Sequence, residues 1–270
     1  MRFFRHNWIP LVFGASFSFS LICSSVGWDH SILDLYGFRQ GQTAISVDYL
    51  LKGSPWLRYE TPVMGPPWSL PFEFPLYQWI VAAGVSLFDT SIDSTGRFVS
   101  LCFFYLCFIA LFSLLGSLGI RRRERLLFFS LLLVSPLYLF WSRTFMIEST
   151  ALFFSIAYLA IVARLFPLLG GVNTSNRPVW ILLAVVCGAL GALIKVTTFW
   201  GFLLIGTLFV ALGMKKDFRD KSRWVSVFLL LFIPVVAALL WTRFADAQKS
   251  LNPLVPLPLN SFRFCSQTSD

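Results

Sequence analysis

Phe38-Arg39-Gln40-Gly41-Gln42-Thr43-Ala44 and Pro71-Phe72-Glu73-Phe74-Pro75-Leu76-Tyr77-Gln78 belong to one long segment, Trp28 to Gly96, that interrupts a nearly continuous series of apolar runs. Apolar sequence on both sides makes a membrane frame, and connections between membrane helices are usually short. A connection rich in Trp, Pro, Arg and carboxylates has to fold against the bilayer surface, and whether it contains a crossing decides the topology of everything after it.

The rest of the chain supports the membrane frame. It is 57% hydrophobic and 13% charged, with a mean hydropathy of +0.73. Apolar runs cover about 8–27, 74–88, 97–119, 126–142, 147–166, 179–194, 197–214 and 224–241. The run 74–88 is short for a helix that must cross about 30 Å. Leaving it out of the crossings puts the N-terminus, Arg121 to Arg125, Arg164 to Arg177 and Lys215 to Arg223 on one side. That side then holds 13 of the 22 Lys+Arg and 3 of the 13 Asp+Glu. Counting 74–88 as a span would send the two densest basic clusters outward, against the positive-inside rule.

The predicted fold is therefore an all-α polytopic membrane protein with seven transmembrane helices and two juxtamembrane helices in a large first outer loop. Its parts are a first helix at 1–27, the loop at 28–96, six further helices at 97–241 and an irregular outer tail at 242–270. The N-terminus is cytoplasmic and the first helix is retained rather than cleaved, because no clear small-x-small site precedes Trp28. In the helix expected at 38–52, Thr43, Ala44, Val47, Leu50 and Leu51 share one face, with Gln42, Ser46, Asp48 and Lys52 turned away. Pro66, Pro67 and Pro71 suggest an extended arm up to Glu73. The stretch 179–214 suits a hairpin of two crossings, with its single charge, Lys195, at the outer tip.

Nucleic acid is excluded as a partner, since no soluble basic domain exists to hold it. Cys23, Cys102, Cys107, Cys187 and Cys265 have no metal-ligand spacing, and no metalloprotease, thiol-pair, nucleophile-elbow or phosphate-cradling glycine motif occurs. The charges collect at the outer helix ends instead. Arg39, Arg58, Glu60 and Glu73 come from the loop, Arg97 opens the next helix, Arg143 and Glu148 flank the second outer loop, and Lys195 tops the hairpin. Such a set suits a substrate with an anionic head and a lipid tail. Arg and Lys would hold a phosphate, and a carboxylate would take a proton from an attacking hydroxyl. Glu73, between two phenylalanines, and Glu148, at the start of an apolar helix beside Arg143, are the leading acids. Asp29 and Asp34 remain open as alternatives. Tryptophans such as Trp56 and Trp79 suit sugar faces as well as the interfacial belt.

These residues resemble the GT-C class of membrane glycosyltransferases, in particular the lipid-linked sugar transferases related to protein O-mannosyltransferases and aminoarabinose transferases. The similar segments are Arg39-Gln40-Gly41-Gln42-Thr43-Ala44, Phe72-Glu73-Phe74-Pro75-Leu76-Tyr77, Arg97, Ser142-Arg143 with Glu148, and Gly191-Ala192-Leu193-Ile194-Lys195. The resemblance implies a polyprenyl-phosphate sugar donor, a glycan, lipid or protein acceptor, inverting transfer, and a site on the non-cytoplasmic face of the plasma (inner) membrane. It implies Glu73 and Glu148 as the catalytic carboxylates, either of which would be the base or orient the acceptor, and Arg39, Gln40, Gln42, Arg97, Arg143 and Lys195 as substrate-binding residues. Many members carry an acid where Gln42 stands, which argues against a metal here; a divalent ion stays possible, and no other cofactor is implied. The similarity covers the family's N-terminal module, so a shortened, inactive or accessory protein is the alternative expectation. A small transporter would instead bury its charges at mid-membrane.

Overall fold

The computed structural model of the chain describes residues 8–32, 35–167, 177–214 and 221–254. Arg2, Arg5, Asp34, the connections at 168–176 and 215–220, the second of them basic, and the tail from 255 with Cys265 lie outside the described residues. The described residues form ten helices: α1 (Trp8–Ser25), α2 (Gly37–Leu51), α3 (Leu76–Phe88), α4 (Ile92–Ser117), α5 (Arg122–Val134), α6 (Pro136–Ser142), α7 (Glu148–Leu165), α8 (Arg177–Ile194), α9 (Val196–Met214) and α10 (Lys221–Lys249). The protein is an all-α polytopic membrane protein. Six helices, α1, α4, α7, α8, α9 and α10, are long and apolar enough to cross a bilayer, and the pair α5–α6 makes a seventh if it is one broken span. Helix α3, with 13 residues, reaches about 20 Å, well short of a hydrocarbon core.

Helix α7 is the centre of the bundle. It packs against α4, α8 and α9, while α10 lies on α8 and α1 on α5. Its small residues Ala151, Ser155, Ala160 and Ala163 are buried, the close-approach chemistry expected between membrane helices. Tyr158 on α7 is fully buried against Phe199 and fits because Gly188 and Gly206 face it; a Cβ on Gly188 would come within 2.9 Å of its ring.

Several expectations are corrected by the structure. The run 126–142 is bent by 73° between Val134 and Pro136. Ser135 takes an extended conformation, and the proline that follows disfavours a helical residue before it and can only start a new helix. Arg97 does not open its helix. Ser91 caps α4, accepting from the Ser94 amide at 3.2 Å, so the helix starts at Ile92 and Arg97 lies in its second turn. Ser46 faces inward and is buried, because its hydroxyl meets that of Thr61 at 2.8 Å. The stretch before Glu73 is not one extended arm: Glu60 pairs antiparallel with Ser69, and the Thr61 amide donates to the Trp68 carbonyl at 2.8 Å. The segment after Trp241 does not become irregular at once, since α10 runs on to Lys249.

Candidate functional site

The site grows from the way the first loop is fastened. The Gln40 side chain, fully buried on α2, donates to the Leu35 carbonyl at 3.0 Å and accepts from the Phe145 amide at 2.8 Å. It therefore ties the loop to the short segment that launches α7. Phe145 is held from the other side by Tyr77, whose ring meets it edge-on and whose hydroxyl donates to the Gly96 carbonyl at 2.8 Å. Gly96 is required there, as a Cβ would fall 2.1 Å from the Phe145 ring. This packing fixes the start of α7 and with it Glu148.

Glu148 reaches across to the tip of the α8–α9 hairpin, where Lys195 Nζ contacts its Oε1 at 2.5 Å. Arg143, its neighbour in sequence, turns instead to the carbonyls of Ser24 and Val26. The other oxygen, Oε2, is buried and makes no hydrogen bond. Arg39 on α2 forms the parallel unit: its Nη2 donates to Glu73 Oε1 at 2.9 Å and its Nη1 to Gln42 Oε1 at 3.2 Å. Burial opposes the Arg39 charge, but attraction and hydrogen bonding from Glu73 outweigh it and raise its pKa. Tyr59, buried in the loop, accepts from the Phe72 amide at 2.9 Å and donates to the Glu73 carbonyl at 3.0 Å, so the backbone of Glu73 is fixed too. The Phe74 amide donates to the Leu193 carbonyl at 3.3 Å, joining this stretch to the hairpin.

Arg39, Glu148 and Lys195 share one cavity of about 670 Å³. Tyr36 and Trp141 stand with them, their rings 5.1 Å apart. Tyr36 adopts a left-handed backbone, φ 65°, which is uncommon for a bulky residue and collects at functional sites. Beyond this charged end the walls are apolar: Phe104 and Phe108 of α4, Phe128 and Leu132 of α5, Ile156 of α7. The cavity thus has a small polar head and a long hydrocarbon body.

Other expected site residues lie elsewhere. Arg97, 3% exposed, donates to the backbone carbonyls of Trp28, His30 and Ser31. Arg143 donates to those of Ser24 and Val26. Both cations pin the end of α1 and the chain that leaves it, where unsatisfied carbonyls attract positive charge. Arg58, Glu60 and Asp29 do not line the cavity. Sequence reasoning missed Tyr36, Tyr59 and the C-terminal end of α10. There Trp241 donates to the Phe72 carbonyl at 3.3 Å, and Asn252 donates to the carbonyls of Gly65 and Pro67 at 3.0 and 3.1 Å. The Tyr36-Gly37 pair before a helix was the available signal for the first; the others leave no pattern in one sequence.

The profile of the dolichyl-phosphate-mannose-protein mannosyltransferase family matches residues 49–251. The chain belongs to this family. Membership places it among GT-C membrane glycosyltransferases, which draw on lipid-linked sugar donors, and the matched region runs from the end of α2 past the end of α10. No curated protein and no solved structure matches the chain. The two acids Glu73 and Glu148 are each ion-paired, to Arg39 and to Lys195, and no group of three His, Cys, Asp or Glu side chains gathers among the described residues.

Proposed function

We propose that the chain transfers a sugar, mannose or a related hexose, from a dolichyl- or undecaprenyl-type phosphate to an acceptor hydroxyl on the non-cytoplasmic face of the membrane. The observation that carries this reading is the joining of Arg39, Lys195 and Glu148 to one end of an otherwise apolar cavity. The prenyl chain lies along Phe104, Phe108 and Leu132, and the phosphate lies at the charged end. Arg39 offers it a planar fork, which Glu73 holds in place. Lys195 turns from Glu148 to the phosphate when the donor binds, neutralising charge that grows as the sugar leaves. That exchange frees the Glu148 carboxylate. The acceptor oxygen attacks the anomeric carbon opposite the phosphate, its proton passes to Glu148, and the bond from the anomeric carbon to the phosphate oxygen breaks, which inverts the configuration. Arg97, Arg143, Gln40 and Gln42 act one step back, by holding the loop and Arg39.

The test is transfer of label from a panel of polyprenyl-phosphate sugars in membranes that contain the full chain, beside a vector control. Transfer that vanishes in Glu148→Gln supports the proposal. Intact chain in the membrane with no transfer from any donor overturns it and favours an accessory role.

A further inference from the structure

At the opposite end of the bundle, α4, α5 and α7 enclose a second cavity, of about 640 Å³. Two arginines line it. Arg125 of α5 lies with its guanidinium 3.9 Å from the centre of the Phe112 ring and donates to the Phe112 carbonyl at 2.8 Å, while its Nε–H is buried and makes no hydrogen bond. Arg164, in the last turn of α7, stacks on Trp180 at 5.1 Å. Between them the floor is small and polar: Ser113, Ser117 and Gly116. Gly116 admits the guanidinium, as a Cβ there would lie 2.7 Å from Arg125 Nη1. Ile109 and Ala163 continue the wall toward the bilayer interior. Glu124, the residue before Arg125, accepts from the Arg121 amide at 3.3 Å and is not part of the lining. The basic run Arg121 to Arg125 marks this end as the one that faces the anionic inner leaflet.

We propose that this cavity is a binding site for an anionic phospholipid of the inner leaflet. Its phosphate sits between Arg125 and Arg164, its glycerol on the serines, and one acyl chain runs along Ile109 and Ala163. Two arginines that share a cavity with no acid among its described lining residues suit a phosphate, and an apolar wall leading from it selects a diester that carries chains over a soluble phosphate. The lipid would wedge α5 against α4 and α7, and so hold the helix that walls the donor cavity at its other end.

Native mass spectrometry of the purified full chain tests this, with phosphatidylglycerol and phosphatidylcholine of identical chains as probes and glycerol 3-phosphate as competitor. Selective retention of phosphatidylglycerol is expected, undisturbed by equimolar glycerol 3-phosphate. Retention should fall about tenfold in Arg164→Gln, the scale of one lost charge-assisted contact. Arg164 is exposed, so this variant folds even if Arg125→Gln, which also loses the Phe112 carbonyl, does not. Arg122→Gln, an exposed residue of the same basic run outside the cavity, should retain the lipid. Equal retention of both lipids, an equal loss in Arg122→Gln, or displacement by glycerol 3-phosphate would each overturn the proposal.

Discussion

Replacing Glu148 by Gln removes one charge and almost no volume from the proposed centre. The Glu148 and Lys195 side chains are 31% and 25% exposed and in contact at 2.5 Å. Breaking a fully buried pair costs about 3–5 kcal/mol and an exposed one at most about 1 kcal/mol, so a pair this deep should cost about 2 kcal/mol of stability when one partner is neutralised. A general base contributes about 10²–10⁴-fold to rate, and Gln keeps the geometry but cannot take the proton. Transfer should fall at least about tenfold, or 1.4 kcal/mol in the barrier. The two losses are similar in size, so they must be read separately: transfer of label per folded molecule, and thermal unfolding of the same preparation. The double variant Glu148→Gln, Lys195→Met separates them further. With both charges gone, much of the stability should return, since a neutral pair leaves no stranded charge. Transfer should not return. Wild-type transfer in folded Glu148→Gln, or recovery of transfer in the double variant, would refute the role given to Glu148.

Glu73→Gln loosens Arg39 rather than the proton path, so transfer should drop about tenfold, mainly through a higher KM for donor, in the same labelling assay. Gly96→Val forces a side chain into the Phe145 ring, and about 3 kcal/mol of stability should be lost, visible as lower yield and a lower unfolding temperature. Arg97→Met frees three backbone carbonyls of the segment after α1; a loss of about 2–3 kcal/mol is expected, with faster proteolysis near Trp28. For Tyr59, burial first and the nearby Glu73 charge second push the phenol pKa well above its ordinary 10.0. The folded state therefore keeps the proton that the unfolded state releases. Its contribution is complete below pH 10 and is lost as pH rises above that value. Unfolding temperature should hold steady up to about pH 9 and fall beyond about pH 10, with a shallower fall in Tyr59→Phe.

The elements written in local pattern were readable. The lone Lys195 between two apolar runs marks the hairpin tip, and the shortness of 74–88 together with the basic clusters keeps α3 out of the membrane crossings. What the sequence hides is which partner a polar group takes. Arg97 and Arg143 look like substrate ligands until the carbonyls at the end of α1 come into view, and a backbone acceptor leaves no trace in residue identity. Ser46 reads as a solvated position because its partner, Thr61, belongs to a loop whose path no periodicity reveals. Pro136 could have predicted the break in 126–142, yet a proline within an apolar run also fits a kinked continuous span. The long reach of α10 onto the loop depends on Trp241 and Asn252, which carry no signature of their own.

The bend at Ser135 turns α6 away from the line of α5, and both helices contribute to the wall of the cavity that holds Arg39, Glu148 and Lys195. The donor proposed for this cavity carries a prenyl chain, so on that proposal it arrives by sliding within the sheet of lipids, in two dimensions. Saturation is therefore governed by mole fraction in the bilayer, and diluting the membrane with inert lipid should slow the chain even when the total amount of donor in the tube is unchanged.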